Sequence, residues 1–187
     1  MNYIFFIFFI VFVSVAILYL RTFQLPAKIR KAEEHMERGE YDRMNEIIRA
    51  ILDKKNNYVP ARYLKAQMYM RQTQYLLAIS ELNAILAITD FQKFIKELDI
   101  HYHLAHLYGE TKNFPKEIEE YKKILMFNPE DVKANHRLGH ALFRKNEYRG
   151  ARDHLQKVST LDSRIMDIYL PLGISCFNLS DYSHAEQ

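Results

Sequence analysis

Five of the eight histidines fall between positions 101 and 140. His101, His103 and His106 form one group, and His136 and His140 a second. His136 and His140 are four residues apart, so a helix would put both on one face. Two neutral imidazoles on one face are the start of a transition-metal site, which needs at least a third ligand close by. No cysteine or carboxylate completes an obvious set in the sequence. The expectation is therefore no metal and no cofactor, with the histidines solvated or in contact with a peptide. The lone cysteine, Cys176, excludes a disulfide within the chain and stands where helix packing is expected, not a reactive thiol. Asn178-Leu179-Ser180 matches a glycosylation sequon, and a turn is the favoured role for it. There is no glycine-rich phosphate loop, no Cys-x-x-Cys and no His-Glu-x-x-His. An enzyme is not expected from these 187 residues.

The charged residues are unevenly placed. The 26 basic and 23 acidic side chains all follow position 20, leaving an apolar head and a charged body. A net charge of +3 is too small and too dispersed for a nucleic-acid footprint, so no nucleic acid is expected. Five Gly and five Pro against thirteen Tyr and twelve Phe suit a helical protein with short turns.

Tyr3 to Leu20 reads YIFFIFFIVFVSVAILYL. As a helix this stretch spans roughly 27 Å, near the thickness of a bilayer core. Ser14-Val15-Ala16 offers small residues at the spacing of a signal cleavage site. No Lys or Arg precedes the run, however, and it continues to Leu20, which favours a retained single-pass anchor. Arg21, Lys28, Arg30 and Lys31 follow it. The positive-inside rule then places the body in the cytoplasm at an inner (plasma) membrane. A periplasmic module after signal cleavage is the alternative orientation. The domains expected are an anchor over 1–21 and a soluble array over 22–187.

Aromatic residues mark a period in that array. Tyr41, Tyr75, Phe114, Tyr148 and Tyr182 each follow a polar pair, at spacings of 34, 39, 34 and 34. Units aligned on these aromatics start at Leu25, Val59, Leu98, Val132 and Met166. Small residues recur in the first half at Ala32, Ala66, Ala105, Gly139 and Gly173. In the second half the equivalent small position holds Ala78, Ala151 and Ala185, but Met44 and Glu117 in the other two units. Large apolar residues recur at Ile48, Leu82, Tyr121 and Leu155, and at Ile51, Ile85, Ile124 and Val158. A helix-turn-helix unit of about 34 residues is the tetratricopeptide period, and on these positions the chain resembles the tetratricopeptide-repeat family. The resemblance implies an all-α fold, a right-handed α-solenoid of helical hairpins that must stack to bury their apolar faces.

Pro26 and Pro60 are expected at the start of first helices and Pro115 at the start of a second helix, where the absent N–H costs least. Pro171 predicts a helix that begins late or bends. The second unit carries extra residues. Thr89-Asp90 reads as an N-cap, followed by a long helix from about Phe91 to Tyr108 whose first turns project from the stack; covering the preceding hairpin is the favoured role for them and a docking site the alternative. The fifth unit stops inside its second helix, so a continuation of the stack, a partner or an oligomer is expected there.

In the family, set positions of the first helices line a peptide groove. Carried over, these are Tyr63 and Gln67 in the second unit and Tyr102, His103 and His106 in the third. Lys133, His136, Arg137, His140 and Arg144 follow in the fourth. The resemblance implies protein or peptide partners, with an acidic group or apolar anchors. Lys133 and Arg137 match part of a carboxylate clamp known in one subfamily, while Tyr63, Gln67 and His103 replace its other members. The layout also resembles the lipopolysaccharide assembly protein B family, without that family's rubredoxin-like module. A membrane-anchored scaffold or adaptor in a cell-envelope complex is the function expected. The alternative is the N-terminal part of an enzyme or regulator whose catalytic domain lies beyond residue 187.

Overall fold

The computed structural model describes residues 2–185, with side chains described over 6–14 and 24–180. Among them are nine α-helices, two short 3-10 turns and no strand: α1 Asn2–Glu37, α2 Tyr41–Leu52, α3 Val59–Arg71, α4 Tyr75–Leu86, α5 Glu97–Glu110, α6 Phe114–Phe127, α7 Val132–Arg144, α8 Tyr148–Leu161 and α9 Tyr169–Ala185. The 3-10 turns cover Phe91–Lys93 and Met166–Ile168. The chain divides into two compact units, 1–89 and 90–187.

Tyr41, Tyr75, Phe114 and Tyr148 are each the first residue of a helix, α2, α4, α6 and α8. Two residues before each lies a left-handed residue: Gly39 at φ 73°, Thr73 at 58°, Lys112 at 56° and Asn146 at 62°. The next N–H in each case reaches back five residues, as in Glu40 to the His35 carbonyl (2.9 Å) and Asn113 to the Tyr108 carbonyl (2.8 Å). This double closure satisfies the last carbonyls of the preceding helix and reverses the chain. One turn chemistry therefore makes all four hairpins.

In the first unit Ile29, Ala32 and Met36 of α1 meet Met44, Ile48 and Ile51 of α2 and Ala61, Leu64 and Met68 of α3. Met44, where a small residue was expected, is fully buried. Glu81 on α4 holds α3 through Arg62 Nη1 at 2.8 Å and Lys65 Nζ at 2.7 Å. The second unit buries Ala105, Ile118, Tyr121, Ile124, Ala134 and Leu138 in one cluster, and Leu155, Val158 and Ile168 in another.

Four expectations are corrected. Pro26 does not open a helix; it lies inside α1, which continues unbroken from the apolar head into the first hairpin. The long helix from Phe91 does not form. Asp90 is left-handed at φ 62°, only a 3-10 turn follows, and extended Lys96 precedes the start of α5. Phe91 from that segment is buried, whereas Phe94 is exposed. No turn interrupts α9 at the sequon. The Asn178 side-chain amide donates to the Ile174 carbonyl and Ser180 Oγ to the Cys176 carbonyl, both four residues back inside the helix. Cys176, expected in packing, is exposed. Pro171, by contrast, sits at the third residue of α9, behind the 3-10 turn at Met166–Ile168, so the helix does begin late.

Among the described residues no helix is long and apolar enough to cross a membrane. The anchor read at 3–20 falls partly on 3–5 and 15–20, whose side chains lie outside the described residues. The described part of that stretch leaves Phe6, Phe8, Phe9 and Phe12 at least 63% exposed.

Candidate functional site

The site lies in the second unit and is built by α5, α6, α7 and the turn before α9. Asp131 caps α7, its Oδ1 accepting from Ala134 N–H at 2.8 Å. Behind the cap, the buried Asn135 amide donates to the carbonyls of Pro129 (3.0 Å) and Asp131 (2.9 Å), and its oxygen meets His154 Nδ1 at 2.9 Å. The start of α7 is thereby pinned to α8 and to the Asn128-Pro129 turn. Gly139 permits close contact of the same two helices, because a Cβ there would lie 2.6 Å from Leu155 Cδ2.

These constraints aim one face of α7 into a groove of about 480 Å³. Seven of the ten expected groove residues line it: Tyr102, His106, Lys133, His136, Arg137, His140 and Arg144. His103 does not line it; burial lowers the pKa of its ring below the ordinary histidine value. Tyr63 and Gln67 lie on α3 in the first unit, each half-buried.

The wall of the groove is charged and ordered. Lys133 Nζ stands 4.9 Å over the Tyr102 ring, a cation on an aromatic face. Burial, with Asp131 beside it, raises the Tyr102 phenol pKa well above its ordinary value, so the group stays protonated. Tyr121 is pushed up to about 12 by burial and by the neighbouring Glu117. Arg144 reaches across from α7 to Glu117 on α6, with Nη2 2.7 Å from each carboxylate oxygen.

Glu117 is the residue that broke the small-residue pattern, and it does not loosen the hairpin. Gly109 on α5 supplies the space: a Cβ there would lie 3.1 Å from Glu117 Oε1. The glycine on one helix takes the part that the small residue on the other would have played.

His136 and His140 stack edge to face, with ring centroids 4.7 Å apart. Asp167, in the 3-10 turn before α9, joins them: His136 Nε2 is 2.9 Å from Oδ1 and His140 Nε2 is 3.9 Å from Oδ2. Burial lowers the His140 pKa, and the adjacent His136 lowers it further. Burial works to raise the Asp167 pKa, but the bond from His136 and the two rings outweigh it, and the net shift is downward. Sequence reading missed Asp167. The signal was present, because Asp167 is the second residue of the unit that starts at Met166, a groove position in the repeat register.

Residues 98–131 match the family model of the tetratricopeptide repeat. This segment spans α5, α6 and the turn to α7, and so includes the Gly109–Glu117 contact. No curated protein matches the chain in sequence. Solved structures do match in fold. YrrB, described as a tetratricopeptide-repeat protein with an unusual peptide-binding site, superposes with a TM-score of 0.69 at 17% identity, over 92% of this chain and 83% of that one. MamA gives 0.66 at 15% identity, over 80% and 79% of the two chains. MamA from Desulfovibrio magneticus RS-1 gives 0.60 at 24% identity, over 74% and 76%. The fold is all-α and tetratricopeptide-like.

Proposed function

We propose that this chain is a non-catalytic, membrane-tethered scaffold whose α5–α7 groove holds an extended acidic segment of a partner protein, in a cell-envelope assembly. One observation carries the reading: Lys133 and Arg137 face the same groove as the tyrosine and histidine rings. Cations supply charge-assisted hydrogen bonds to a carboxylate, and aromatic rings supply apolar anchoring. YrrB, similar in fold, is described as having a peptide-binding site, which is consistent with this use of the architecture. The test is fluorescence anisotropy with a panel of acidic and neutral peptides. Lys133→Ala combined with Arg137→Glu should weaken acidic peptides at least tenfold and leave circular dichroism unchanged. Equal affinity for both panels, or no effect of the double change, would count against the groove.

The tether is supported by the first twenty residues, which carry no charge, and by the exposed phenylalanines at 6, 8, 9 and 12. A tether confines the groove to the membrane plane and raises the effective concentration of membrane partners. Removing residues 1–24 should move the protein from the membrane fraction to the soluble one. Cys176, exposed and the single cysteine, reports the orientation without an engineered site. A membrane-impermeant maleimide should label it only after lysis if the repeats face the cytoplasm. Labelling of intact cells would reverse that assignment.

A further inference from the structure

The contact of His136 with Asp167 is an ordinary hydrogen bond between an imidazole and an exposed carboxylate. It leaves His140 unexplained. Its Nε2 is buried, has no hydrogen-bond partner and lies 3.9 Å from Asp167 Oδ2, too far for a hydrogen bond. A buried ring nitrogen without a partner is costly and uncommon. In this groove it points towards the same carboxylate that its neighbour already holds.

The three ligand atoms available from His136, His140 and Asp167 all lie within 4.8 Å of one another. Ligand atoms around a tetrahedral zinc ion, each at about 2.0–2.1 Å, are separated by roughly 3.3 Å. One of the two imidazole–carboxylate separations is below that figure and the other is above it. Closing the three ligand atoms to that spacing shortens the widest separation, at most 4.8 Å, by up to about 1.5 Å through side-chain rotation. The scaffold suits the task. His136 and His140 are one helical turn apart on α7, whose first turn is fixed by Asn135, and Asp167 comes from a turn packed against α8 through Ile168. Two imidazoles and a carboxylate form the ligand type of an open zinc site, with the remaining position left for water or an exogenous ligand.

We infer that His136, His140 and Asp167 form a binding site for a divalent transition ion, zinc or a chemical equivalent, with an open coordination position facing the groove. The ion occupies the space between His140 Nε2 and Asp167 and gives that nitrogen its partner. Asp167 supplies one negative charge, so bound zinc leaves a net positive centre close to Arg137, and an anionic ligand completes it best. The metal site stands whether or not the groove takes a peptide.

The experiment is titration of the purified full-length protein with Co(II) alone and then Zn(II) alone. One equivalent of Co(II) should bind saturably and give visible absorption bands of a low-coordinate ion, which Zn(II) then displaces. Asp167→Asn changes an exposed side chain, and it should weaken Co(II) at least tenfold while leaving helicity unchanged. His140→Ala should do the same, and His106→Ala should have no effect. Absence of one-to-one binding would overturn the inference, as would binding that survives both Asp167→Asn and His140→Ala. Because the readout is metal alone, failure of the peptide titration leaves this result unaffected, and the reverse also holds.

Discussion

One guanidinium nitrogen of Arg144 lies 2.7 Å from both oxygens of the Glu117 carboxylate. Glu117 is buried and Arg144 is half-exposed, so the two partners are not equivalent. Burial raises the Glu117 pKa above the ordinary carboxylate value, and Arg144 offsets only part of the effect. The arginine can return to water if its partner is removed; the carboxylate cannot.

Arg144→Ala should therefore cost about 2–3 kcal/mol at pH 7.5, somewhat below the cost of breaking a fully buried pair because Arg144 is solvated. A group whose folded pKa is raised favours the fold when protonated, and that advantage is lost as pH rises through the folded value. The variant's deficit should shrink towards pH 5. Urea unfolding at the two pH values measures it, and a deficit that is constant with pH would exclude a stranded carboxylate as the cause. Glu117→Gln removes the titrating group, so relative to wild type it should be more favourable at pH 7.5 than at pH 5.

Three residues further along α6, Glu120 behaves oppositely. Burial works to raise its pKa, but bonds from His101 Nδ1 (2.5 Å) and Lys123 Nζ (2.9 Å) outweigh this, and the net shift is downward. A depressed carboxylate stabilises the fold above its unfolded value, and the contribution is lost as pH falls through the folded value. Glu120→Gln should cost about 1–3 kcal/mol at pH 7, with wild type and variant converging as pH falls through the depressed folded value. Parallel acid titrations followed by circular dichroism would show the convergence.

Gly139→Ala would place a methyl group 2.6 Å from Leu155 Cδ2 and 2.7 Å from its Cγ. Overpacking of this kind costs about 1–3 kcal/mol. Leu155→Ala alone should cost about 2–5 kcal/mol by opening a cavity. The double variant should lose less than the two single losses combined, because the methyl group fills part of that cavity. A double-mutant cycle measures the coupling, and strict additivity would mean that α7 and α8 have moved apart instead.

Thr73 holds a left-handed conformation at φ 58°, although its β-branched side chain disfavours it. Thr73→Gly should stabilise the protein by about 0.5–1 kcal/mol, the relief of strain exceeding the added freedom of the unfolded chain. Gly39→Ala, at φ 73°, should lose a comparable amount with no steric clash to account for it. Thermal unfolding of the two variants should therefore shift in opposite directions.

Much of the fold was legible because the aromatic register coincides with a backbone event. The residue two before each of Tyr41, Tyr75, Phe114 and Tyr148 turns left-handed, and the helix ends there. At Ser180 the same register position stays helical, and its hydroxyl bonds back to the Cys176 carbonyl inside the helix instead of capping a turn. Asp90 was read as a helix cap from its residue type, but aspartate also tolerates the left-handed region, and here that role prevails. On α5 and α7 the residues lining the cavity follow the repeat register. Asp167 follows the same register as the second residue of its unit, but no local spacing ties it to His140, 27 residues earlier, and so the pairing with the two histidines was missed. The compensation between Gly109 and Glu117 was half visible: Glu117 broke the small-residue pattern, but nothing in its own helix marks Gly109 as the counterpart.

The unbroken course of α1 from Asn2 to Glu37 has a geometric consequence. Its two ends share one rotational phase, with no flexible joint between the apolar head and the residues that pack on α2. Inserting one residue within Phe6–Ser14 would rotate whatever precedes it by about 100° about the helix axis and displace it by about 1.5 Å relative to the first hairpin. Inserting seven would nearly restore the original phase at a greater distance. The helix is therefore an indexing shaft, and its length sets which face of the first hairpin is presented to whatever holds the other end.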